Sequence, residues 1–571
     1  MRKFFYQFIF SLKYISYIKN SQRRCYTRAI TGDHITELNE KTLTGRLLNY
    51  LERNKIIPNK IDRITDTLDI LKRNDTNNLG KCNTEEIISA FNLISNREYC
   101  KNKTEFLLIL DLLDFELRRR LDQLNTTETL NVLHTYMKIV PHRIVDYKFY
   151  ENSMKKLFSE CNTLSKNDLI QYIFYLGLQK KTARSQFMLR KCMNLLNEEL
   201  INNLNTEELC VICNSTFKTS TKINNTLILN KIVNYINNNL CIMKDPAIFI
   251  TLIKAIRHNR YQDEELLATI TCTMFFNRTI NCYSFPALCH ILAAYSDFLY
   301  YDENVMKIFT EKCVELLGNG NYVSKRIYLQ EQPRAKDIKR FLWCLSNLNY
   351  KKLDKKVIRE VIIPNVKNRI KMGELKDDFG SVIEMALYLW MLNYYDPEII
   401  SYVLTKQNVQ YIRASAVPAK QRLDLLITCI YFEDRKLYKE INIPLHTNVY
   451  QNIDQQLEKR PLLLKVFENL KSIPSKFEVN KYTLECQVPN LNIIGITGYR
   501  KKIYKAVHIE ILDDYTCMKN TDSLPSGLMS LKLRIMEQFD EGIIAIRANE
   551  VELMSNEELS NFLEDELDLV C

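Results

Sequence analysis

From about residue 35 to residue 475, apolar positions recur at helical spacing, and short turns rich in Asn, Asp, Ser and Thr separate the runs. Many of the runs open alike, with polar capping residues ahead of an apolar face: Asn83-Thr-Glu-Glu-Ile87, Thr126-Thr-Glu-Thr-Leu130, Ser165-Lys-Asn-Asp-Leu169, Asn205-Thr-Glu-Glu-Leu209 and Asp245-Pro-Ala-Ile-Phe249. Asn281-Cys-Tyr-Ser-Phe285, Arg334-Ala-Lys-Asp-Ile338 and Asp378-Phe-Gly-Ser-Val382 continue the series. The apolar fifth positions are 43, 39, 40, 40, 36, 53 and 44 residues apart, a period that suits one helix pair per unit. A lone helix pair cannot bury its apolar stripe, whereas stacked pairs can, so the pattern predicts an α-solenoid of about seven or eight units over residues 33–405. Asn83, Thr126, Ser165 and Asn205 are expected N-caps, with Glu86 and Asp168 placed to complete capping boxes. Over 406–475 the repeat gives way to a connector with helices around Arg422 to Phe432 and near Asn452 to Ser472, punctuated by Pro444, Pro461 and Pro474.

The hydrophobic period then changes. Ile503 to Leu512 reads as a strand with Ile503, Lys505, Val507, Ile509 and Ile511 on one face, and Asp513 and Asp514 end it. Pro525 and Ser526 open a helix through Gln538 that carries Lys532 and Arg534 on or near its outer face. Gly542 starts a strand over Ile543 to Ile546, and Ser555 begins a last helix. The expected fold is mainly α, with a small α/β domain at residues 476–571.

Composition supports this division. Twelve Gly and 13 Pro in 571 residues are too few for a large β architecture, while 46% hydrophobic content is enough for a sizeable core. Beyond the N-terminus no apolar run reaches the roughly 20 residues that span a bilayer, so no stable membrane insertion is expected. The 17 Cys are scattered through helices and read as reduced thiols; Cys210 and Cys213 read as buried helix residues, not metal ligands. The net charge of +11 is unevenly spread. Residues 1–32 carry +7 and no acid, and 549–571 carry −8 and no base, which leaves +12 for the middle. The basic, aromatic N-terminus matches a mitochondrial presequence and implies the matrix; the competing readings are targeting to another organelle and a secretory signal or anchor over Phe4 to Ile18, interrupted by Lys13.

Bases recur at or just after the ends of first helices: Lys138, Lys180, Lys181, Lys218, Lys254, Arg257 and Arg260. Evenly spaced cations can meet evenly spaced phosphates, with Tyr136, Tyr172 and His258 available to stack on bases; the competing account puts those rings in the core between repeats.

The order of elements after residue 495 resembles the RAP domain, a small C-terminal module of organellar RNA-binding proteins that is abundant in apicomplexans. The residues that carry the resemblance are the acids from Glu510 to Asp514, Leu531-Lys532, Gly542-Ile-Ile-Ala-Ile546, Glu550 and Phe562-Leu563. Leu512-Asp513-Asp514 stands where family members have Asp-Gly-Pro, and Val551 where they have Trp, so the likeness is to a divergent member. Such proteins carry degenerate helical repeats upstream, and their domain is related to restriction-endonuclease-like nucleases. The resemblance implies organellar RNA as partner, with mitoribosomal or other RNA-binding proteins beside it. In the module, Arg500, Lys501, Lys502, Lys505, Lys532 and Arg534 are the candidate RNA contacts. Glu510, Asp513 and Asp514 are weak metal candidates, but Ile543 to Ile546 lacks the E-x-K spacing that nuclease chemistry needs. The three acids are therefore expected to face solvent at a strand end. The expectation is a non-catalytic RNA-binding protein without a cofactor, in rRNA or mRNA stability, processing or mitoribosome assembly. The alternatives are a protein-interaction scaffold, including a structural protein of the mitoribosome, and a metal-dependent endonuclease.

Overall fold

The computed structural model describes residues 42–52, 67, 69–71, 73, 76–94, 103–276, 279–318, 333–447, 453–473, 479–500, 506–521, 523–539 and 541–570. The presequence candidate, 1–32, lies outside them. The chain is mainly helical with a four-stranded sheet near the C-terminus, and it divides into two compact units, residues up to 239 with 247–261, and residues 240–246 with 262 onward.

In the first unit the principal helices are α1 (Leu43–Leu51), α2 (Thr84–Ile94), α3 (Lys103–Arg119), α4 (Thr126–Ile139), α5 (Lys148–Ser159), α6 (Lys166–Leu178), α7 (Ala183–Asn194), α8 (Thr206–Thr219), α9 (Thr226–Asn238) and α10 (Pro246–Asn259). The expected openings do start helices. Asn83 and Asn205 accept from the N–H groups of Glu86 and Glu208, whose carboxylates accept the cap N–H groups in return. The cap of α4 is Asn125 with Glu128, one residue before the expected Thr126. Asp168 accepts from the hydroxyl of its cap Ser165, which itself accepts the Asp168 N–H. First helices are neighbours in sequence order, α2 to α4, α4 to α6 and α6 to α8. At the closest of these contacts Gly177 lies against Ser215, where a Cβ would meet the hydroxyl oxygen at 2.5 Å. Cys210 and Cys213 are buried helix residues, as expected.

Asp114 of α3 is a buried carboxyl in this core. The backbone N–H of Phe149 donates to it at 2.9 Å and the Tyr136 hydroxyl at 3.3 Å, yet burial wins and pushes it up to about 6. The folded chain therefore holds this proton more tightly than the unfolded chain does. The stability that this proton lends is full below about pH 4 and is lost as pH rises to about 6. Asp114→Asn should remove that dependence. In denaturation at a series of pH values, wild type should lose about 3 kcal/mol relative to the variant between pH 4 and pH 7; parallel curves would refute the assignment.

In the second unit the principal helices are α11 (Glu264–Phe276), α12 (Phe285–Phe298), α13 (Glu303–Gly318), α14 (Ala335–Asn347), α15 (Ile363–Lys371), α16 (Phe379–Met391), α17 (Pro397–Val403), α18 (Val417–Glu433), α19 (Pro461–Ser472), α20 (Gly527–Met536) and α21 (Asn556–Val570). Here α12, α14, α16 and α18 form a row of successive neighbours. Strands β1 (Val479–Glu485), β2 (Gly495–Arg500), β3 (Ala506–Leu512) and β4 (Gly542–Arg547) form one sheet in that order. The β1–β2 and β2–β3 pairs are antiparallel, and β3–β4 is parallel with Ile509 opposite Ile544. Of the elements expected between 503 and 546, a strand over Ala506–Leu512, a helix over Gly527–Met536 and a strand over Gly542–Arg547 are present, residues 503–505 lying outside the described residues, while β1 and β2 have no counterpart among the expected elements.

All seven residues of β3 are buried, so the strand is covered on both faces, not one. One face, Val507, Ile509 and Ile511 with Ile544 and Ile546, packs on Leu463, Val466 and Leu470 of α19 and on Leu559, Leu563 and Leu567 of α21. The other face carries Glu510 toward α20, which also touches α14, α16 and α18. The approach is close at Gly527, where a Cβ would lie 1.7 Å from the Ser346 carbonyl oxygen. The loop before α20 reaches the end of α12: Lys519 donates its N–H to the Leu299 carbonyl at 2.9 Å, and Asn520 bonds both backbone groups of Tyr301 at 2.7 Å. Among the described residues no helix is long and apolar enough to cross a membrane.

Candidate nucleic-acid interface

The C-terminal ends of α6, α8 and α10 lie beside one another in the first unit, Gly177 against Ser215 and Phe217 near His258 and Lys254, and the chain there is poor in acid. None occurs from Leu169 to Asn197 or from Leu209 to Lys244. Lys180 and Lys181 are exposed after α6, Lys218 is half-buried in the last turn of α8, and Arg260 is exposed after α10. Among the described residues none of Lys180, Lys181 and Lys218 is paired with an acid. Burial, and then the neighbouring Lys180, pushes the Lys218 ammonium down. Lys254 and Arg257, on the last two turns of α10, are half-buried. Lys138, by contrast, is ion-paired with Glu52.

Aromatic rings interleave with these cations. Phe217 is 39% exposed, lies 6.1 Å from the His258 ring, and has the Lys254 ammonium 5.6 Å from its centroid. Phe187 is 61% exposed and packs at 5.6 Å on Phe158, over which Lys191 sits at 5.0 Å. The Gln186 amide donates to the Thr219 and Ser220 carbonyls at 3.1 and 3.0 Å, joining the start of α7 to the end of α8. His258 is half-buried, and burial together with Lys222 pushes it down, so at neutral pH it offers an uncharged ring. Tyr136 and Tyr172 are not available for stacking: both are fully buried in the core. Phe187 and Phe217 went unnoticed in the sequence. The available signal is phase, since each is an aromatic residue off the stripe set by Met188, Leu189 and Cys192 in α7 and by Leu209, Ile212 and Thr216 in α8.

The cations expected in the C-terminal module are placed differently. Lys532 does not sit on an outer face. It is fully buried, donates to the Ile493 carbonyl at 2.9 Å and is ion-paired with Glu510. Arg534 faces the helix row, donating to both Glu433 oxygens at 2.5 and 3.2 Å and to the Trp390 carbonyl at 3.0 Å. The cause is the position of α20 between sheet and helix row, which turns what looks like a solvated face of an isolated helix into a two-sided contact. Arg500 is half-buried and donates to the Val570 carbonyl at 3.3 Å. Lys501, Lys502 and Lys505 lie outside the described residues.

Two of the three acids expected to face solvent are also buried. Glu510 is inaccessible; its Oε1 is held by Lys532 while Oε2 has no hydrogen-bond partner among the described residues. Burial pushes this carboxyl up and the Lys532 ammonium down, and their mutual attraction opposes both shifts. Asp513 receives Arg460 at 2.7 Å on Oδ2 and the N–H groups of Tyr515 and Thr516 on Oδ1 at 3.1 and 3.2 Å. Arg460, fully buried, also donates to the carbonyls of Ile494 and Ile511 at 2.6 and 2.9 Å, so it ties α19 to β2 and β3. Asp514 alone is exposed. Glu510 and Asp513 thus each hold a cationic side chain of this chain, and a metal would have to displace it. No family model matches the chain, and no curated protein matches its sequence.

Proposed function

We propose that this protein binds RNA in the mitochondrial matrix without catalysing a reaction. In this reading the helix pairs stack as an α-solenoid, the C-terminal sheet is a divergent RAP-like domain, and the targets are organellar rRNA or mRNA in stability, processing or mitoribosome assembly. The acid-poor edge of the first unit carries the proposal. Its cations stand at successive helix ends, where they can follow a phosphate backbone, and Phe187 and Phe217 expose rings on which unpaired bases can stack. The C-terminal module contributes less to RNA contact than its sequence implies, because Lys532 and Arg534 are engaged within the protein. The acids engaged by Lys532 and Arg460 support a structural role for the sheet in place of a nuclease centre.

Crosslinking in isolated organelles followed by RNA sequencing tests this. Crosslinked transcripts mapping to peptides 180–260 are expected. Protein partners that persist at high salt without crosslinked RNA would favour the scaffold instead.

A further inference from the structure

A cleft of about 540 Å³ opens in the second unit between the helix row and the C-terminal module. Its walls are α14, α16 and α18 on one side and the β1–β2 connection with the start of α20 on the other. Leu387, Met391, Leu425 and Leu528 line it with apolar surface, a composition and size usual for small-ligand sites. Among the described residues no carboxylate or lysine lines it, and the one charged side chain there is Arg422. Arg422 donates to Glu384 at 2.7 Å, but Lys339 also holds Glu384 at 2.8 Å, so the group of three keeps one positive charge in excess.

The protein's two tryptophans differ in what they do. Trp390 is buried, stacked on Tyr395 at 4.9 Å and hydrogen-bonded to Glu433, so its role is packing. Trp343 lines the cleft, is half-buried, and meets no other ring among the described residues. Gln421, also lining the cleft, has no hydrogen-bond partner among them. An unstacked indole, an amide with unspent donors and acceptor, and a net positive charge within one apolar cleft suit a planar hydrogen-bonding ring with an anionic group. We propose that the cleft binds a nucleotide, its base against Trp343, its base edge read by Gln421, and its phosphate toward Arg422. The choice of a nucleotide among planar anions rests on the RNA reading of the first unit. The nucleotide has two possible sources, a free mononucleotide or one residue of a bound RNA.

The full chain should be titrated by calorimetry with adenosine and uridine 5′-monophosphates, and with a ten-nucleotide RNA while following tryptophan emission. Trp343→Ala, Arg422→Gln and Gln421→Ala are compared after their melting profiles are matched to wild type. Mononucleotide binding weakened at least tenfold by Trp343→Ala and Arg422→Gln establishes the site for free nucleotide, and does so even if the oligonucleotide fails to bind, in which case the RNA reading fails alone. Quenching of Trp343 emission by the oligonucleotide alone, lost in Gln421→Ala, assigns the cleft to one residue of bound RNA. If neither mononucleotide binding nor Trp343 quenching occurs, the proposal is overturned, and any oligonucleotide binding that remains belongs to the first unit.

Discussion

Lys532→Met should destabilise the C-terminal module by about 3–5 kcal/mol, the cost of leaving one charge of a buried pair without its partner. Glu510 is fully inaccessible, its Oε2 has no hydrogen-bond partner among the described residues, and Gly495 packs so tightly that a Cβ there would lie 2.1 Å from Oε1. Little space remains for water to reach a stranded carboxylate. The loss should fall mainly on the module, so hydrogen exchange of β3 and α20 amides is the appropriate measure, since a chain with several units need not unfold in one step. Glu510→Gln combined with Lys532→Met should restore most of the protection, because the double change removes both charges. Protection in the single variant within about 1 kcal/mol of wild type would show that water reaches the pair and that its burial is overstated.

Replacing Lys180, Lys181 and Lys218 together with alanine should lower the salt dependence of single-stranded RNA binding. At about 0.7 per phosphate contact, three lost contacts reduce the slope of log affinity against log salt by about 2. The same three residues carry no ion pair among the described residues, so folding should be unaffected. Phe187→Ala and Phe217→Ala should act differently: each weakens single-strand binding by about 1–3 kcal/mol without changing the slope, because stacking releases no counterions. An unchanged slope in the lysine variant, with RNA still bound, would move the phosphate track elsewhere on the molecule. Titrations at several salt concentrations make both comparisons.

What was legible before the structure depended on the range of the interactions involved. Capping residues and apolar stripes act within one or two turns, and Asn83, Ser165 and Asn205 start their helices where local chemistry places them. The α4 cap shifted by one residue because Asn125 and Thr126 are both competent caps, and Asn125 aligns with Glu128. β1 and β2 escaped notice because Val479 to Glu485 is only half-buried, without clean alternation, and β2 is short and contains two glycines. Each is stabilised by its neighbour in the sheet more than by its own pattern.

The candidate sites divide the same way. Lys180, Lys181, Lys218 and Arg260 sit at helix ends, and a helix end is exposed almost wherever its helix packs, so a repeat read from sequence was sufficient to place them. Lys532, Arg534 and Asp513 sit on elements whose surroundings are supplied by residues about 40 to 145 positions away, Ile493, Trp390, Glu433 and Arg460, and Glu510 is held by Lys532 from another element. A periodic pattern states which face of an element is apolar. It does not state that the polar face will also be covered.

The sequence by itself determined the helices, their approximate period of 40 residues, the change to an α/β module near the C-terminus and the basic character of the chain between its termini. These follow from local propensity and from charge, which need no partner. Tertiary structure alone decided the fate of α20 and β3. Packing α20 between the sheet and the helix row withdrew Glu510 and Lys532 from water, and charges in that setting persist only as a pair. The same packing left the cleft beside Trp343, whose walls come from stretches up to about 185 residues apart and which no single stretch of sequence encodes.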